Sequence, residues 1–200
     1  RVGFHIASRL KQDGYDVLAH YRTETDDVQK LKQLGIQTIQ ADLQDTASIM
    51  AFIDKLQQFS LAYRGIVHNA SAFTPTAEQY QHFFNIHMLA PFLINQALST
   101  LLIGPGNDPA DIIHITDINV ENPTPRFDIY GTTKAGLHNL TLVSAKKLAP
   151  QIKVNSVAPG PVLFTESHTQ EARQKMLSET PLAREGGAEP VYLAIKSLLE

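Results

Sequence analysis

Along this chain, short apolar runs alternate with longer stretches in which apolar residues recur every three or four positions. The runs "YDVLAHY" (15–21), "IQTIQAD" (36–42), "YRGIVHNA" (63–70), "ADIIHIT" (110–116) and "IKVNSVA" (152–158) are brief and apolar on both faces. Polar or turn residues follow each one, as expected of buried parallel strands. Helical periodicity fills the intervals at 3–12, 26–34, 46–59, 78–103 and 128–149, and two more helices are expected at 168–178 and 188–199. Gly14 and Gly35 stand where helices should end.

Strands alternating with helices predict right-handed crossovers and an α/β fold: a Rossmann-like doubly wound parallel sheet with helices on both faces. With no linker, repeat or low-complexity stretch, a single domain over 1–200 is expected. Both the first and the last predicted elements are helices. A first strand with its glycine turn, and a final strand, are therefore expected to lie outside this stretch.

Composition narrows the classes of function. Of the 200 residues, 43% are hydrophobic and 18% charged, which suits one sizeable core rather than a disordered chain. A formal net charge of -3 gives no pull toward nucleic acid or anionic lipid. There are no cysteines, which removes disulfides, thiolate metal sites and thiol catalysis, and fits a reducing cytoplasm. The eight histidines are scattered without metal-ligand spacing, so no metal is expected. The most apolar stretch, "MLAPFLINQALSTLLIG", is interrupted by Pro91, Asn95 and Gln96 and falls short of the ~20 apolar residues of a membrane span.

Candidate chemistry gathers in "ITDINVENPTPRFDIYGTTK" (115–134). Tyr130 and Lys134 are four residues apart and share a helix face. An ammonium beside a phenol favours the phenolate, so a lowered Tyr130 pKa is expected, making it a usable general acid. Asp117 stands at the end of the preceding strand, thirteen residues before Tyr130.

Four stretches in order resemble the short-chain dehydrogenase/reductase family: "HNAS" (68–71), "YGTTK" (130–134), "VNSVAPGPV" (154–162) and "PLAR" (181–184). The resemblance implies Tyr130 as proton donor, and Lys134 as the residue that holds the nicotinamide ribose and tunes Tyr130. Asn69, Ala70, Pro159, Gly160 and Val162 would line the cofactor. Most members carry Ser where Asp117 stands. That exchange is similar to the pteridine reductases, in which Asp and Tyr act together on a pterin ring. "NASAF" is the second pterin signal: Phe73 matches a Phe that stacks on the pterin, and Ser71 would supply a polar contact. The stretches "HYRT", "HNASA", "IIHITD" and "KLAP" narrow the resemblance to the bacterial dihydromonapterin reductases within that branch. His87 occupies the place of the wider family's helix-kink Asn, which holds a relay water; an imidazole can still donate and accept, and no direct catalytic role is assigned to it.

"RVG" (1–3) resembles the end of the dinucleotide fingerprint, with Gly3 its last glycine and the pyrophosphate at the helix N-terminus. In the window where NAD enzymes place an acid on the ribose, "AHYRTE" offers Arg22 and no preceding acid. A guanidinium suits a 2′-phosphate, so NADP(H) is the expected cofactor. Arg1 is expected to reach phosphate or substrate, and Asp42 resembles the family's adenine-contacting Asp.

These readings predict a cytoplasmic NADPH-dependent reductase of a dihydropterin. Its rivals are a 3-ketoacyl-type or other carbonyl reductase of the same family and a non-catalytic dinucleotide-binding protein. Helices 78–103 and 128–149 are apolar on more than one face, and family resemblance implies a homodimer or homotetramer built on them. Substrate specificity is expected in the segment 163–186.

Overall fold

The computed structural model describes residues 1–59, 62–72, 79–162, 164 and 169–200, Arg126 by its backbone alone. The element order is α1 (Val2–Gln12), β1 (Leu18–Tyr21), α2 (Asp26–Gln33), β2 (Gln37–Gln40), α3 (Thr46–Phe59), β3 (Gly65–His68), α4 (Tyr80–Phe84), α5 (Ala90–Leu98), β4 (Ala110–Ile115), α6 (Asp128–Leu148), β5 (Ile152–Val157), α7 (Gln170–Ser178) and α8 (Glu189–Leu199). Every predicted strand is present, trimmed at its ends. Gly14 and Gly35 take positive φ, 92° and 71°, just past α1 and α2, a conformation only glycine adopts at no steric cost.

All strand pairs are parallel. β1 pairs with β2, and β3, β4 and β5 pair in that order. The register sets Val67 beside Ile113 and Ile112 beside Val154. β1 and β3 are not hydrogen-bonded to one another, so the described strands form two sheets where a continuous one was expected.

Alternation along the strands sorts the helices into layers. Val67, Ile113, Ile115 and Val157 pack with Ile6 and Leu10 of α1 and with Val191, Tyr192 and Ile195 of α8. Ile66, Ile112 and Val154 turn the other way, toward Ala145 and Leu148 of α6. On that second face Ile49, Phe52 and Ile53 of α3 meet Ala90, Ile94 and Leu98 of α5 beneath Leu18 and Ile39. Helices on both faces of parallel strands are the doubly wound arrangement.

The predicted single helix 78–103 is not one regular helix. Between α4 and α5 the chain makes a five-residue π turn, Asn85–Leu89, and after α5 a 3₁₀ turn at Ser99–Leu101. The physical reason lies in the sequence. Pro91 has no N–H to give the carbonyl one turn back, and Asn85, buried, spends its side-chain amide on Gln44 O at 2.5 Å.

Candidate active site

The ends of the parallel strands collect the predicted groups on one edge. Arg22 follows β1, Asp42 follows β2, Asn69 follows β3, Asp117 follows β4 and Pro159 follows β5. In open α/β sheets ligands bind outside these carboxyl ends.

Asp117 is held by its own turn. It caps the 3₁₀ turn Ile118–Val120, with Oδ1 accepting from Asn119 N at 2.8 Å and Asn119 Nδ2 at 2.7 Å. Its other oxygen, Oδ2, accepts from the Tyr130 hydroxyl at 2.9 Å. The same carboxylate therefore caps a turn and reaches the phenol. Ile118 N donates to Pro159 O at 3.1 Å, which ties this turn to the loop after β5.

Lys134 is 3% exposed. Its Nζ donates to Ile115 O at 2.7 Å and lies 5.8 Å from the centroid of the Tyr130 ring. Burial pushes its pKa down to about 8, with the Asp117 charge opposing the fall. Tyr130 departs from expectation: its pKa is raised, not lowered. Burial is the largest cause, and the negative charge of Asp117 and the hydrogen bond to it act in the same direction. The phenol is therefore held as a stocked proton, with Asp117 as its acceptor.

Two residues that sequence reading left outside the catalytic set complete the cluster. His87, 1% exposed in the π turn, lies with Nδ1 2.8 Å from Thr133 Oγ1 and Nε2 2.9 Å from Ser71 Oγ. Its ring stacks on Phe83 at 5.8 Å and meets Tyr130 edge-on at 5.5 Å. Ser71 also reaches the Tyr130 hydroxyl. Thr133 bonds Tyr130 O at 2.9 Å; its position three residues after Tyr130 was the available signal. Phe73 lies outside the described residues.

The cofactor side is looser. At Gly3 an added Cβ would stand 2.7 Å from Asn69 Nδ2, so the glycine lets the β3 end close on the start of α1, whose first turn has no side-chain cap. That cradle and the start of α1 fit a pyrophosphate. Arg22 is exposed, its carbonyl accepting from Gln40 Nε2 at 3.1 Å. Asp42 accepts from Gln44 N at 3.2 Å. Arg1 is exposed. Ala70 and Gly160 are exposed beside their strand ends, while Val162 accepts from Gly187 N at 3.0 Å and packs against the α1–α8 core. No helix among the described residues is long and apolar enough to cross a membrane.

Known proteins bear on this arrangement. The family described as enoyl-(acyl carrier protein) reductase matches residues 2–200. Dihydromonapterin reductase of Enterobacter sp. (strain 638) is 37% identical over 205 residues, spanning 100% of this chain and 85% of that protein. Its counterpart in Escherichia coli (strain K12) is 36% identical with the same coverage. Among solved structures, alternative dihydrofolate reductase 1 (FolM) of Brucella canis, complexed with NADP, superposes with TM-score 0.87 at 24% identity, covering 100% of this chain and 83% of that one. A Serratia marcescens short-chain dehydrogenase/reductase F98L/F202L mutant gives TM-score 0.87 at 23% identity, covering 99% and 85%. A parallel doubly wound core, a strand-end acid on a Tyr/Lys helix and a family match over nearly every residue agree: this chain belongs to the short-chain dehydrogenase/reductase family, a family of oxidoreductases.

Proposed function

We propose that this protein is an NADPH-dependent reductase of dihydropterins, reducing 7,8-dihydromonapterin to tetrahydromonapterin with dihydrofolate as a side substrate. The observation that carries it is the 2.9 Å hydrogen bond from Tyr130 to Asp117. A Ser there would polarise a ketone; a carboxylate coupled to a phenol suits delivery of a proton to a ring nitrogen. Relatives 36–37% identical that are dihydromonapterin reductases support the same substrate class.

Arg22 and the start of α1 at Gly3 would hold NADP(H), Arg22 at the 2′-phosphate, with Asn69, Pro159 and Val162 around the nicotinamide end. When bound, the reduced dinucleotide supplies a hydride to C6 of the substrate. The chain's own part is the proton. Tyr130 gives its phenolic hydrogen to N5, so that the C=N bond becomes CH–NH. Asp117 keeps that phenol protonated beforehand and orients it. Lys134, pinned to Ile115 O beside the Tyr130 ring, would hold the nicotinamide ribose. Phe73 would stack on the pterin.

A cytoplasmic location and a homo-oligomer built on α5 and α6 belong to the same reading. Phe92 of α5 and Leu142 and Val143 of α6 are 44%, 51% and 53% exposed, more apolar surface than isolated helices of a monomer need.

The deciding experiment is NADPH consumption by the full-length protein with dihydromonapterin, dihydrobiopterin, dihydrofolate and a 3-ketoacyl substrate side by side. Turnover on pterins is expected. Turnover on the ketoacyl substrate alone would establish a carbonyl reductase, and cofactor binding without consumption a dinucleotide-binding protein.

A further inference from the structure

The loop between β1 and α2 carries a carboxylate close in sequence to the guanidinium on which the cofactor reading depends. Glu24 lies two residues after Arg22, and both are exposed. Glu24 is already occupied. Lys32, in the last turn of α2, donates to its Oε1 at 2.8 Å, and Tyr21, the last residue of β1, bonds the same carboxylate. The Lys32 ammonium lies 5.4 Å from the centroid of the Tyr21 ring, so the three groups close on one another. These bonds, that of Lys32 first, hold the Glu24 carboxyl below the usual carboxylate range. The other acids of this stretch, Asp26 and Asp27, stand in the first turn of α2, where the helix dipole favours them. Arg22 itself is tied at its carbonyl to Gln40 Nε2 at 3.1 Å.

We propose that Lys32 and Tyr21 are positioning residues for dinucleotide choice: they hold Glu24 onto α2, and so keep a carboxylate off the ribose end of the cofactor site. An exposed ion pair adds little to folding, so its consequence is where it leaves the acid. Released, Glu24 would have two partners. It can accept from a ribose 2′-hydroxyl, the contact by which NAD enzymes read their cofactor, or it can pair with Arg22 and occupy the guanidinium. Either outcome works against a 2′-phosphate, which brings acceptor oxygens and negative charge. The preference for NADP(H) then depends on a clamp as well as on Arg22, and the chain carries an NAD-type acid that the clamp silences. This inference rests on the NADPH reading proposed above.

The test is the Kd of NADP⁺ and of NAD⁺ for the full-length protein, by isothermal titration calorimetry at low ionic strength. Lys32→Gln should weaken NADP⁺ about five-fold and tighten NAD⁺ about two-fold, lowering the preference about ten-fold. Lys32→Arg should keep the wild-type ratio. Tyr21→Phe, which removes a bond to Glu24 without changing net charge, should move the ratio the same way by about three-fold. In a Glu24→Gln background neither Lys32→Gln nor Tyr21→Phe should move it, since the acid they restrain is gone. A ratio that Lys32→Gln leaves unmoved, or moves equally with and without Glu24, overturns the inference: the first shows no clamp, the second a Lys32 that meets the phosphate itself. Without dinucleotide, 13C NMR of the carboxyl groups should find Glu24 titrating lower in the wild type than in Lys32→Gln, and equal titration overturns the clamp. A wild type that binds neither dinucleotide, or NAD⁺ the tighter, overturns the NADPH reading, while the carboxyl titration still reports on the clamp by itself.

Discussion

The Tyr130 hydroxyl donates a hydrogen bond to Asp117 Oδ2 across 2.9 Å, joining the first turn of α6 to the end of β4. The pair makes the acid of the site depend on a second acid. Replacing Asp117 by Ser removes the charge and the hydrogen bond that help raise the Tyr130 pKa. In Asp117→Ser the phenol is expected to titrate at lower pH, followed by 13C-tyrosine NMR. Turnover of dihydropterins should fall about 100-fold, and Tyr130→Phe should cost about 10²–10⁴-fold with dinucleotide binding retained.

Lys134 weakens the fold that it serves. Its folded pKa is about 8 against 10.5 for a free Lys. Below pH 8 both folded and unfolded chains are protonated and the full burial cost stands. Between 8 and 10.5 the unfolded chain keeps a proton that the folded chain has released, so stability rises with pH. The difference is on the order of 3 kcal/mol. Lys134→Met, which also gives up the bond to Ile115 O, is expected to raise stability at neutral pH by about 1–3 kcal/mol in urea unfolding while abolishing turnover.

Acid should unfold this protein early. Burial pushes the pKa values of His68, His87 and His114 down to about 4, 3 and 2 from 6.5. His68 and His114 belong to one buried chain, His68 Nε2 to Asn95 Oδ1 at 2.7 Å, Asn95 Nδ2 to His114 Nε2 at 3.1 Å, and His114 Nδ1 to Thr141 Oγ1 at 2.8 Å. The stability tied to neutral rings is complete above pH 6.5. Below it the unfolded chain binds protons that the folded chain refuses, at a cost of about 1.4 kcal/mol per pH unit for each ring. The melting temperature should drop steeply from pH 6.5 toward 4, and His114→Gln should make that slope shallower by about one third.

Arg22 is the test of cofactor choice. If the guanidinium holds the 2′-phosphate, Arg22→Ala should raise the KM for NADPH about ten-fold or more and leave that for NADH unchanged.

Assembly through α5 and α6 predicts that Phe92→Glu combined with Val143→Glu yields a monomer by sedimentation, with helical content intact. Each residue is about half exposed, so a charge there costs the isolated subunit little.

Much of this was readable beforehand because strands and helices announce themselves by period, and strand ends in a parallel sheet fall on one side. Asp117 and Tyr130 were legible as partners from the resemblance to pteridine reductases, in which an Asp stands thirteen residues before the Tyr. Four things were not. The direction of the Tyr130 pKa depends on how deeply the ring is buried and on Asp117, and a spacing of four residues to Lys134 carries neither. The π turn needed Pro91 to be weighed together with the buried Asn85, which a periodicity count passes over. The link from Thr133 to His87 joins residues 46 apart in sequence, brought together only when α4, α5 and α6 pack. The gap between β1 and β3 also has no counterpart in the hydrophobic pattern.

The widened turn at Asn85–Leu89 accommodates one surplus residue at the point where the helix carries His87 toward Ser71. Deleting a single codon there would let the coil close to its ordinary pitch and swing the imidazole about 100° away from Ser71, with the sheet untouched. A lineage carrying this fold thus has, in one small insertion or deletion, a route to exchange what its pocket accepts without rebuilding what holds it up.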